Sequence, residues 1–199
     1  MPLFFRTRNP ISRRWCPQPV PPFGRFAEIM PAPSEHKETI RRQIGEAIGH
    51  IPDVRPSDLP PTELIPDVPE WHGFEHELWR IGEKIRHVMN ERTALRKDHD
   101  IYSKFLEIAR NRAGMRGRQS WILLFAYKPC GSWATELANL LPDPDIDGHV
   151  ISAIYKMKAR GFSDEILPFK DSDVTWIRNE AKRYLEFDQS QNKRPETKA

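Results

Sequence analysis

The residues His72-Gly-Phe-Glu75-His76 spell H-x-x-E-H. On a helix this order sets two imidazoles one turn apart with a glutamate beside them that can act as a general base, the arrangement of a zinc hydrolase. Such a site needs a third ligand from a distant segment; Glu107 and Glu136 qualify by type, and nothing in the spacing singles either out. The string is short for a chain with seven histidines, and surface residues in the first turn of a helix explain it as well. No Ser-His-Asp set, no G-x-x-x-x-G-K loop and no carboxylate pair with a reason for a raised pKa accompanies it. The sequence therefore assigns no catalytic residue and no cofactor, and His72, Glu75 and His76 stand as remote metal candidates only.

A second kind of chemistry is charge recognition. Residues 80 to 118 hold eleven Lys or Arg against five Asp or Glu, whereas 119 to 186 hold eight bases and ten acids. The corner formed by Arg110, Arg112, Arg116 and Arg118 suits phosphate or an acidic protein, and the alternative is a solvated face with pairs such as Glu83 to His87. Of the six tryptophans, Trp71, Trp121 and Trp133 fall on faces expected to be core. Trp176 precedes an apolar position and stands with Arg178, Lys182 and Arg183, an aromatic-plus-arginine composition common at binding hot spots.

The elements that must position these groups occupy part of a 199-residue chain with 38% apolar residues, a formal charge of +3 and 19 prolines. Fourteen of the prolines lie in the first 69 residues, where they remove backbone donors and exclude a packed core. Residues 1–34 read as a disordered, proline-rich tail with five arginines before residue 28; an organellar presequence is the alternative, spoiled by the prolines. A short amphipathic helix over 35–50, capped by Ser34, places Ile40, Ile44, Ala47 and Ile48 on one face. Residues 51–69 read as a proline-rich linker, 70–188 as a helical domain, and 189–199 as a disordered polar tail. Cys16 and Cys130 lie far apart with no metal-ligand spacing, which suits a reducing, cytoplasmic setting. The longest apolar run, Trp121 to Tyr127, is seven residues, too short to span a bilayer.

Within the domain, Trp71, Phe74, Leu78, Ile81, Ile85, Val88 and Leu95 recur at helical spacing, and Ile101, Phe105, Ile108 and Ala109 predict a second helix capped by Asp98 or Asp100 and ending near Gly114 and Gly117. Tyr127 to Ile146 then superimposes on Tyr155 to Val174 at an offset of 28, and SWILLFA at Ser120, HVISAIY at His149 and TWIRNEA at Thr175 place Ile122, Val150 and Ile177 in one role. A period of this length means a helix-turn-helix unit that hides its apolar face only by stacking on its neighbours. Ser132 and Ser163 are expected as N-caps, and Asp143-Pro144-Asp145 and Asp171-Ser172-Asp173 as turns that cap the following helix.

These residues resemble the short HEAT-like repeats seen in phycobilisome-lyase relatives, whose pattern is an apolar pair, D-x-D, then V-R-x-x-A-x-x-A-L. Phe169 through Leu185 matches best, with Asp171, Asp173, Ile177, Arg178, Ala181 and Leu185; the middle copy has Ile151 and the first has Leu123 where the pattern places arginine. The resemblance implies an all-α, HEAT-like helical-repeat solenoid whose second helices line a concave surface. It also implies a non-enzymatic module that binds another, acidic protein through Arg110, Arg112, Arg116, Arg118, Trp176, Arg178, Lys182 and Arg183. The HEAT-like DNA glycosylases are similar too, which makes nucleic-acid binding, with a base-excision role, the alternative. No membrane is implied, and oligomeric state is not legible.

Overall fold

A computed structural model of the chain describes residues 33–55 and 71–192, and these form an all-α structure. Its helices are α1 (Pro33–His50), α2 (Gly73–Glu91), α3 (His99–Arg110), α4 (Gln119–Leu123), α5 (Ala134–Ala138), α6 (Asp147–Met157), α7 (Ser163–Ile166) and α8 (Thr175–Asn192). Single 3-10 turns follow α2 (Thr93–Lys97), α3 (Arg112–Arg118), α4 (Lys128–Trp133) and α7 (Leu167–Asp171). Among the described residues there is no strand, and no helix is long and apolar enough to cross a membrane. The expected tail up to residue 32, the linker from 56 to 69 and the end from 193 lie outside the described residues. Within them, α1 starts at Pro33, one residue ahead of the expected cap Ser34, and α8 runs past 188 to Asn192.

The apolar stripes account for the long helices. In α2, Leu78, Ile81, Ile85 and Met89 are buried; the helix stops at Arg92, so Leu95 enters the core from the 3-10 turn and not from the same helix. In α3, Ile101, Phe105, Ile108 and Ala109 are buried, and Asp98 caps the start by accepting from the Ile101 amide at 3.2 Å. The helix ends at Arg110, several residues before the glycines suggested, because Asn111 Oδ1 turns the chain by accepting from the Ala113 amide. In α1, Ile40, Ile44 and Ala47 are buried, but Ile48 is 49% exposed and does not belong to the packed face.

The two serines expected as caps do other work. Ser132 sits exposed within a 3-10 turn, and Ser163 is the first residue of α7, its hydroxyl donating to buried Asp188 of α8 at 2.6 Å. The Asp143-Pro144-Asp145 turn closes on itself through the Asp145 amide and Asp143 Oδ1, while the N-cap of α6 is Ile146 with no side-chain hydrogen bond.

Packing follows chain order. α1 pairs with α2, α3 with α4, α5 with α6 and α7 with α8; the second member of each pair then packs on the next, α2 on α4, α4 on α6 and α6 on α8. Ile122, Val150 and Ile177 all lie in this seam, as do Ile154 and Ala181. Lys37 meets Asp98 at 2.6 Å and Arg55 meets Asp145 at 2.9 Å, so the segment carrying α1 is tied to the rest by ion pairs as well as by its isoleucines.

Two glycines permit close approaches between neighbouring elements. A Cβ on Gly117 would lie 2.6 Å from the Glu75 carbonyl oxygen and 2.9 Å from its Cα, backbone atoms that cannot swing aside. One on Gly148 of α6 would meet the Trp176 ring at 2.2 Å. Gly117→Ala is expected to lower stability by about 1–3 kcal/mol. Gly45→Ala, in the middle of α1 with nothing within 4 Å of the new methyl, should raise it by about 0.5–1 kcal/mol. Urea titrations followed by helix circular dichroism read both, and equal midpoints for the two variants would contradict the packing.

Candidate functional site

Glu75 is fully buried, and both its oxygens are spent: Oε2 accepts the His72 amide at 2.7 Å, and Oε1 accepts the Arg116 amide at 3.0 Å and its Nε at 3.4 Å. The glutamate of H-x-x-E-H is thus the third residue of a helix, closing the first turn of α2 and clasping the 112–118 turn. His72 is buried and stacks on Phe74, and His76 lies beside Glu77. Among the described residues no group of three or more His, Cys, Asp or Glu is placed to hold a metal, and of the remote candidates His72, Glu75 and His76 the structure engages Glu75 in the start of α2.

The basic corner is divided: Arg118 is sealed inside, Arg116 is partly buried, and Arg110 and Arg112 are exposed. Arg118 is 0% exposed. Its Nε donates to the Met115 carbonyl at 2.8 Å, Nη1 to the Ala109 carbonyl at 3.0 Å, and Nη2 to Asp143 at 3.0 Å and Asp145 at 3.4 Å. The flat fork reads both the end of α3 and the turn before α6, which an ammonium could not do at once. Arg112 adds to Asp143 at 3.3 Å, Arg116 lies against Glu75 and over the Trp71 ring, and Arg110 pairs with Glu136. The same holds upstream, where Arg80 pairs with Glu77, Arg86 with Glu83 and Lys104 with Glu107. Of the expected partner surface at Arg110 to Arg118, Arg118 is buried and out of a partner's reach, while Arg110, Arg112 and Arg116 each lie beside a carboxylate.

The C-terminal group is divided by helical geometry. Trp176 is 45% exposed. Arg183, seven residues on, lies on its side of α8, whereas Arg178 and Lys182 are turned away by about 160° and 120° at 3.6 residues per turn. Arg178 turns back to the Ser172 carbonyl and Thr175 hydroxyl. Trp176 and Arg183 instead line a groove of about 370 Å³ whose floor is α6 and whose third wall is Leu123 of α4. From α6 come His149, Ser152 and Lys156, from α8 Asn179 and Glu180 as well. Three consecutive second helices thus supply one concavity. The sequence reading missed His149, Ser152, Lys156 and Asn179; the signal was available in the shared spacing of 0, 3 and 7 in His149, Ser152, Lys156 and in Trp176, Asn179, Arg183.

No family model, curated protein or solved structure matches this chain. Its site is therefore read from geometry alone.

His149 packs edge-on to Trp176, ring centroids 5.1 Å apart. Burial, and secondarily Lys156, pushes its imidazole down to about 4, so the groove carries a neutral imidazole at pH 7. Asp147, one turn's start away, is pushed up by burial and by the charges of Asp143 and Asp145, against a hydrogen bond from the Gly148 amide.

Two outcomes follow for measurement. Arg118→Met strands Asp143 without its buried partner and should cost about 3–5 kcal/mol, read as a fall in the urea midpoint, while Arg110→Ala at an exposed pair should cost under about 1 kcal/mol. For His149 the sign is set by its lowered pKa: the unfolded chain takes the proton near 6.5, the folded one near 4, so its contribution is intact above 6.5 and is lost as pH falls toward 4. Wild-type minus His149→Gln melting temperature should fall between pH 7 and 4; a flat difference would contradict it.

Proposed function

We propose that this chain is a protein-protein interaction module built as a short HEAT-like solenoid, and that it holds its partner in the groove of α4, α6 and α8. The order α2 on α4 on α6 on α8 supports the solenoid, because each second helix contacts the next in sequence as stacked hairpins do. The observation that carries the binding role is Trp176: a large aromatic 45% exposed, backed by Ile177 in the core and by Gly148 beneath its ring. Such a ring on a rigid base supplies apolar area with little entropy left to lose, the property of an anchor residue. A non-enzymatic role in a reducing, cytoplasmic setting accompanies this reading; the Cys130 thiol is buried, and burial holds it in its protonated, unreactive form.

Nucleic acid is the weaker reading. Seven of the eleven cations that suggested it, Arg80, Arg86, Lys104, Arg110, Arg112, Arg116 and Arg118, lie beside carboxylates, which lowers the charge available to release counterions from a duplex.

Placing a photo-crosslinking phenylalanine derivative at Asn179 should yield a discrete adduct in cells of the source, and the same residue at Lys84, exposed on α2 and outside the groove, should not. Adding Trp176→Ala should remove the adduct, consistent with a loss of about 2 kcal/mol or more at a hot spot. Equal adducts from both positions, or adducts indifferent to Trp176, would overturn the proposal.

A further inference from the structure

Along α6, His149, Ser152 and Lys156 form one polar row, and along α8, Trp176, Asn179 and Arg183 form the opposing one. At 1.5 Å per residue each row is about 10 Å long. The rows are aligned, since His149 meets Trp176 at one end and Lys156 and Arg183 lie at the other. One end of the groove is aromatic and the other cationic.

Four polar groups of this groove are uncommitted. His149, Ser152, Lys156 and Asn179 make no side-chain hydrogen bond or ion pair to any described residue, in a structure where the arginines of α2, α3 and the 112–118 turn are answered by carboxylates or carbonyls. Glu180 is satisfied by Arg183 at 2.8 Å, so the net charge of the lining is one positive unit, located at Lys156.

We infer that the groove takes an extended acidic peptide segment, with an apolar or aromatic side chain against Trp176 and an aspartate or glutamate two or three residues away against Lys156. The inference rests on the interaction-module reading and gives its partner a chemistry. Extended chain advances about 3.3 Å per residue, so three residues span the rows. The carboxylate gains a cation that has no competing acid, and Ser152 and Asn179, midway, can answer the peptide's own N–H and C=O groups. A nucleic-acid strand could stack a base on Trp176, but its regularly spaced phosphates would run past the Glu180 carboxylate with a single free cation to hold them. The peptide is the better complement.

The test pans a phage-displayed library of random dodecapeptides against the full chain, then measures selected peptides, fluorescein-labelled, by anisotropy. Expected is enrichment of an apolar or aromatic residue with Asp or Glu two or three positions away. Affinity should fall at least tenfold with Trp176→Ala and with Lys156→Glu, and the second loss should be recovered by peptides carrying Lys in place of the acid. Both substitutions are on the surface, and unchanged helix circular dichroism and melting confirm their folds. Peptides that need Trp176 but bind Lys156→Glu undiminished would overturn the acidic-segment inference and leave the interaction module standing. No Trp176-dependent peptide at all would overturn both. Tighter binding of a labelled oligothymidylate, abolished by Trp176→Ala, would replace the peptide with a single strand.

Discussion

Helices of four or five residues do not persist in water: the first turn fixes several residues for one hydrogen bond, and isolated helices need about 12–15 residues even with favourable composition. α4, α5 and α7 are all far below that length, yet Ile122, Leu137 and Ile166 within them are fully buried. Their helicity is therefore borrowed from tertiary contact. The constraint shapes everything downstream of α3, since each short helix is held only by a longer neighbour or by the next hairpin, and the second helices are where those contacts accumulate. The groove is a by-product of that arrangement, the outer side of a seam whose inner side is the core.

Polar interactions set the spacing of these pieces where apolar contact alone would leave it loose. Glu75 joins the start of α2 to the turn after α3, Arg118 joins the end of α3 to the turn before α6, and Asp188 joins α8 to the Gly161-Ser163 corner, whose amide and hydroxyl it accepts. Each is a buried charge whose removal would leave its partners without water or ligand, so each costs far more to break than an exposed pair. The result sets a few buried charges that build the structure apart from the many at its surface, Lys156 of the groove among them.

Much of the architecture was legible because it is written in periodicity. The stripe from Leu78 to Met89, the Ile101 to Ala109 face and the equivalence of Ile122, Val150 and Ile177 all follow from apolar spacing, and all are buried. Helix ends were less legible, since Asn111 stops α3 ahead of Gly114 by a local side-chain turn that propensity alone does not rank. The site was least legible. Charge counting cannot tell Arg118, sealed by carbonyls and carboxylates, from an arginine in solvent, because the difference lies in contacts 25 and 27 residues away. Nor does composition reveal Lys156, an ordinary lysine distinguished only by the groove it borders. The Asp143-Pro144-Asp145 turn receives its guanidinium from Arg118, far upstream, while Arg178 bonds to Ser172 and Thr175.

That buried guanidinium has a bearing on descent. Arg118 and Asp143 sit in separate stretches of the chain, yet they form one buried pair in which neither member is tolerable without the other. A lineage can keep the pair or exchange both for oily side chains of like volume; halfway forms would be purged. Kin of this molecule should thus fall into two groups at those two positions, with the ionic pair either whole or gone.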